Sequence, residues 1–307
     1  MASTFLKPDK IVKTAIGLLQ REIVLPRLVW TDPKVSAEVV GAKDDTVSMR
    51  LAAVATAREY GWRNDRSASI VLDDLTETKV DVVLNHDIYH GTPITDEQLT
   101  LDIADFGSQV LMPQMRGVAE GLENLIASTI ASATFDETVG FEEGAAGKTG
   151  DPYLVAVEAR KVLNKANVPF GERVILLGAD VEAAFLASDK LVKVNESGTE
   201  SALREAVIGR LAGVTLVTSN ASDADKAYAF PRTAFAWLNV APEIPDGASA
   251  GARSSYEGLA MRWIKDYDPT KLRDRSIVSS FAGCTSVEDD GVKNVRAVEI
   301  EFTPAGS

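Results

Sequence analysis

Apolar positions along this chain follow two rhythms, and the changes between them divide it. Near the start, Ile11, Ala15, Leu18 and Leu19 fall on one helical face, and Pro26 is expected to stop that helix. The string LVWTDPKVSAEVV then reads as extended. From Asp44 to about Pro93 the period is two. TVSMRLA puts Val47, Met49 and Leu51 on one face, and VDVVLNHDIYH is rich in β-branched and aromatic residues. Between them lies AREYGWRNDRSASIVLDD, polar and basic at its centre. The pattern predicts a long hairpin or extended loop, too polar to build its own core, of the kind that exists to contact something else.

After Thr95 the period changes to that of a helix. TDEQ fits an N-terminus with Thr95 as the cap, Asp96 and Glu97 in the first turn and Gln98 at the third position. Met115, Val118, Ala119, Leu122, Leu125, Ile126 and Ile130 keep helical spacing to about Ala133. Pro113 is expected to kink or split this helix, which would reach ~50 Å if continuous.

TFDETVGFEEGAAGKTGDP is a Gly-rich break and the best domain boundary. Beyond it, Pro152 to Asn167 is predicted helical, RVILLG a buried strand, ADVEAAFLAS a helix, and VTLVTS and KAYAFP strands. That alternation predicts an α/β unit over about 151–250. EIPDGASAGARSS reads as a polar loop; GLAMRWIKDYDP, SIVSSFAGCTSV and KNVRAVEIEF return the chain to β structure.

Charge and chemistry narrow the function classes. The 307 residues carry 32 Lys and Arg against 45 Asp and Glu, a net charge of −13. That balance disfavours sequence-specific nucleic-acid binding, which draws on a basic face, while loose contact with packaged nucleic acid remains compatible. No apolar run reaches the ~18–20 residues of a membrane span, and MASTFLKPDK does not read as a secretory signal, so folding in the cytoplasm is expected. The lone Cys284, among small and apolar residues, is expected to be a buried thiol. GAAGKTG suggests a phosphate loop, but Glu142 stands where its first Gly belongs, and no buried strand is expected to lead in. His86 and His90 in HDIYH would lie ~13 Å apart along a strand, too far to share a metal. Neither CxxC nor GxGxxG occurs, and no catalytic residues, cofactor or metal are expected. Arg58, Tyr60, Trp62, Arg63 and Arg66 gather at the middle of the polar loop, residue types enriched at protein interfaces.

The order of parts resembles the major capsid proteins of tailed bacteriophages, with the Hong Kong 97-type fold, and especially their P22 coat protein-like branch. TVSMRLA is similar to the strand opening that family's E-loop. VDVVLNHDIYHGTPITDEQLTLDIADFGSQVLMPQMRGVAEGLENLIAS is similar to the return strand and spine helix. VPFGERVILLGADVEAAFL and REAVIGRLAGVTLVTSN resemble its A-domain, and GLAMRWIKDYDPTKLRDRSIVSSFAGCTSV its returning P-domain strands. The resemblance implies an α+β fold: an N-terminal arm and start of the P-domain (1–43), an extended β E-loop (44–93), a long spine helix of the P-domain (94–150), an α/β A-domain (151–250) and returning P-domain strands (251–307). No domain inserted in the A-domain and no long N-terminal scaffolding segment are expected. It implies a non-enzymatic shell subunit of an icosahedral head, assembled in the host bacterial cytoplasm and resident in the virion. Its partners would be itself in hexamers and pentamers, a separate scaffolding protein, a portal, decoration proteins and packaged double-stranded DNA, with no membrane. An encapsulin-like nanocompartment shell and, further off, a soluble α/β enzyme are the alternatives.

Overall fold

A computed structural model of the chain describes residues 23–31, 46–51, 55–74, 78–103, 105–145, 147–187, 207–256, 259–288 and 293–305. The helix expected around Ile11–Leu19 lies outside them. In chain order the elements are α1 (Leu25–Leu28), β1 (Thr46–Leu51), β2 (Thr78–Val83), β3 (His86–Thr95), α2 (Met112–Ser132), β4 (Thr138–Glu142), α3 (Pro152–Lys165), β5 (Arg173–Leu177) and α4 (Ala179–Leu186). There follow β6 (Val207–Leu211), β7 (Val214–Thr218), β8 (Lys226–Pro231), β9 (Phe235–Val240), β10 (Ala250–Tyr256), β11 (Leu259–Asp268), β12 (Arg273–Ser286) and β13 (Val298–Thr303).

Two large sheets flank the spine helix α2. One has the order β4-β13-β8-β5-β7-β6. Its central strands are buried on both faces, which is why RVILL reads as an unbroken apolar run. On one side Ile175, Leu177 and Ala229 meet Val155, Ala159 and Leu163 of α3 and Phe185 of α4. On the other, Leu176, Tyr228 and Phe230 share a cluster with Met115, Val118, Leu122 and Ile126 of α2. The second sheet, β10-β11-β12-β3 with β9 also on β12, covers the rest of the helix through Met261, Trp263 and Val278. The junction is polar as well as apolar: Ser276 Oγ donates to Gln114 Oε1 at 2.7 Å and accepts from Trp263 Nε1 at 2.9 Å. Buried Glu123 accepts from the backbone of Val24 and Leu25 at 3.3 and 3.4 Å and from Ser219 Oγ at 3.1 Å. One carboxylate thus ties α1, the spine and the α/β sheet together.

Several expectations need correction. The spine does not break at Pro113. The Thr95 cap is present, with Gln98 N–H donating to Thr95 Oγ1 at 3.3 Å and Thr95 N–H to Gln98 Oε1 at 3.1 Å. The first helical piece nevertheless ends at Ile103, whose ψ is 103°. Asp105 then caps a new start, accepting from Gly107 N–H at 2.9 Å and Ser108 Oγ at 3.0 Å. A wide π turn, Gly107–Leu111, then carries the chain to Pro113, and Met112 N–H reaches back to Gly107 O. Wide turns relieve the clash a proline ring makes with the carbonyl four residues back. The regular part of the spine is 21 residues, ~32 Å and not ~50 Å.

The Gly-rich break contains a strand, β4, because Val139 and Phe141 alternate into the core. The second half of the predicted loop at 243–255 is β10, whose small residues let Ala252 pack inward while Gly251 lies close under Ile244. β9, inside 151–250, pairs with β12, and β13, inside 251–307, lies between β4 and β8 in the α/β sheet. Pro26 sits in the first turn of α1 and opens that helical turn.

Candidate intersubunit surface

The loop singled out from sequence is a hairpin rooted in the body and bare at its tip. β1 and β2 pair antiparallel from Thr46↔Val83 to Leu51↔Thr78. Val80 and Val82 of β2 are buried against Leu238 and Val240 of β9 and Val287, with Trp30 and Val47 alongside. β12 crosses the root at Gly283, where an added Cβ would stand 2.1 Å from the Val83 carbonyl oxygen. Only glycine permits that approach.

Beyond the root, none of residues 55–74 is buried. Trp62 is 88% exposed. The tip still has a defined shape. Arg58 forms a two-pronged pair with Asp73, Nε to Oδ2 at 2.6 Å and Nη2 to Oδ1 at 2.8 Å. Tyr60 Oη donates to Ala68 O at 2.6 Å, and the Arg66 guanidinium lies 5.5 Å over the Tyr60 ring. Asn64 and Asp65 side chains accept from the N–H groups of Arg66 and Ser67, turning the chain with Arg63 and Arg66 at positive φ. The Ser67 hydroxyl and amide together hold the Asp65 carboxyl below its ordinary range.

The five residues named from sequence thus lie in one tip, in different states. Trp62, Arg63 and Arg66 are exposed, while Arg58 and Tyr60 bind the two legs of the loop to each other. Sequence reasoning missed Ile70, Val71 and Leu72, which are 65%, 61% and 84% exposed on the returning leg. The signal was there: three apolar residues in a stretch otherwise polar. With Trp62 they are large apolar side chains left exposed on the tip.

The remaining candidates take structural places. Cys284 packs against the spine cluster, and burial pushes its thiol up to about 12. His86 and His90 lie on β3, opposite Ala282 and Val278 of β12. At GAAGKTG a strand, β4, leads in, with only Val139 and Phe141 of its five residues buried. The helix beyond it starts only at Pro152, and its first turn is taken by the Asp151 carboxylate, which accepts from Tyr153 N–H at 3.0 Å. A phosphate would meet that negative charge. Among the described residues no group of three His, Cys, Asp or Glu is placed to hold a metal, and no helix is long and apolar enough to cross a membrane.

No protein-family model matches the chain, and no curated protein matches it by sequence. Solved structures do match. A structure from Mycobacterium phage Che8 is 19% identical with a TM-score of 0.61, covering 91% of this chain and 90% of that one. The capsid of Ralstonia phage GP4 is 11% identical at 0.60, over 100% and 94%. The fold is that of tailed-phage capsid subunits. A virus-like particle from Pyrococcus furiosus also matches, less closely, at 12% identity and 0.51 over 95% and 97%. This capsid fold runs through the whole body described above, from the hairpin root to β13.

Proposed function

We propose that the chain is the major capsid protein of a tailed bacteriophage, a non-enzymatic subunit that closes on copies of itself to form the head shell. The observation that carries this is the pairing of a capsid fold over nearly the full chain with a hairpin tip whose apolar residues have no core of their own. Copies related by heterologous contacts, each tip laid on a neighbour, close a shell when the rotation between them closes. The net charge of −13 keeps free subunits apart until specific contacts form.

In this reading 44–93 is the E-loop, 94–150 the spine region of a peripheral domain, and 151–250 with β13 an axial domain. Trp62, Arg63 and Arg66 contact the adjacent subunit, joined by Ile70 to Leu72. Subunits assemble as hexamers and pentamers in the bacterial cytoplasm, on a separate scaffolding protein and around a portal. Decoration proteins and nonspecific contact with packaged double-stranded DNA complete the particle. The P22 coat protein-like branch is the finer assignment we favour, on the resemblance of the strings quoted above. An encapsulin-like compartment is the second reading, favoured by the weaker match to the virus-like particle. Sedimentation and negative-stain microscopy of the expressed chain, with and without the products of neighbouring genes, test the proposal. Closed shells with phage neighbours support it; a cargo-enzyme gene beside this one, with shells full of that enzyme, favours the second reading.

A further inference from the structure

We propose that the Arg58–Asp73 pair is a clasp that positions the hairpin tip for docking on a second copy of this chain. The inference rests on the shell reading and adds to it the device that sets the tip's geometry. Among the described residues, strand pairing in the hairpin runs from Thr46↔Val83 to Leu51↔Thr78. Among the described residues of 55–74 the backbone bond is Asn64 N–H to Gly61 O at 3.4 Å, within the turn itself. No backbone ladder joins the two legs there, and no core sits beneath them.

What joins them is side-chain chemistry. Arg58 spans to Asp73 with both prongs, and Tyr60 reaches Ala68. Asp73 directly follows the exposed run Ile70–Leu72, and Arg58 stands four residues before Trp62. Closing the pair therefore fixes the separation between the two apolar parts of the tip. A two-pronged guanidinium–carboxylate pair is suited to this because it sets direction as well as distance. Both side chains are half exposed, at 55% and 47%. Exposed pairs contribute little to the stability of a folded monomer. The clasp acts on docking, where an element already in its bound shape loses less freedom on association.

The test is a charge swap in the full chain: Arg58→Asp, Asp73→Arg, and both together, with Asp73→Asn as a milder variant. Light scattering reads the concentration at which half the protein is in shells, and melting temperature checks the monomer. Each single variant should raise that concentration roughly two- to tenfold with an unchanged melting temperature. The double swap should bring it back towards the original. Single variants that assemble like the unaltered chain, or that unfold the monomer, overturn the clasp. So does a double swap as impaired as the singles, since the charges would then be acting on the neighbour directly. An unaltered chain that never forms shells is a separate result, and it overturns the shell reading itself.

Discussion

Replacing Trp62 with alanine separates folding from assembly more cleanly than any other single change. The indole is 88% exposed and touches no buried cluster, so its loss should leave the monomer's melting temperature within about 1–2 °C. In a shell the same side chain is expected to be covered by a neighbour. A tryptophan side chain offers ~200 Å². Covering the nine-tenths now open removes ~180 Å² from water, worth about 4.5 kcal/mol at ~25 cal/mol per Å². Losses in ordering and imperfect packing reduce that to about 2–4 kcal/mol per contact, the range of an interface anchor. Each such contact then weakens by roughly 30- to 1,000-fold, and every subunit makes one. Sedimentation velocity on the expressed variant should show intact monomers or small oligomers at concentrations where the unaltered chain forms particles. Particles at unaltered yield, with the monomer folded, would refute the assignment of Trp62 as an anchor.

Other consequences concern the scaffold behind the tip. Gly283→Ala drives a methyl into the Val83 carbonyl and should cost about 1–3 kcal/mol or more, read as a lower midpoint in urea. Glu123→Ala strips an acceptor from the amides of Val24 and buried Leu25 and from Ser219, and should cost about 1–3 kcal/mol in the same assay. Glu123→Gln keeps an acceptor oxygen at that place and should cost less. Cys284 should resist thiol reagents at neutral pH in the native protein and react on unfolding, because burial pushes its thiol up to about 12 from 9.0. Its folded form binds the proton more tightly, so stability present below about pH 9 should fall as pH rises towards 12, seen as a declining melting temperature. Burial raises Tyr228 too and works in the same direction.

Much of the fold was legible wherever a local rule decides the outcome. The β5 run RVILL, the Thr95–Gln98 cap and the helical spacing of Met115 to Ile130 each specify their element from adjacent residues. What was hidden depends on competition or on distance. The spine breaks at Ile103 because Asp105 offers a second cap, a weaker signal than the proline that drew attention. β4 has only Val139 and Phe141 to announce it, inside a Gly-rich stretch. The alternation in β13 gives a strand but not its neighbours, which sit more than sixty residues away along the chain, at β8 and β4. In the tip, attention to arginine and aromatic residues found the cluster but passed over Ile70 to Leu72. It also could not tell that Arg58 is occupied by Asp73.

A cryo-electron microscopy reconstruction of the particles formed by the expressed chain tests the central claim most directly. The account expects closed shells in which residues 55–74 of each subunit lie on an adjacent copy, with Trp62 and Ile70 to Leu72 covered. A compact monomer that forms no particle, with the hairpin tip folded onto its own sheets, would contradict it.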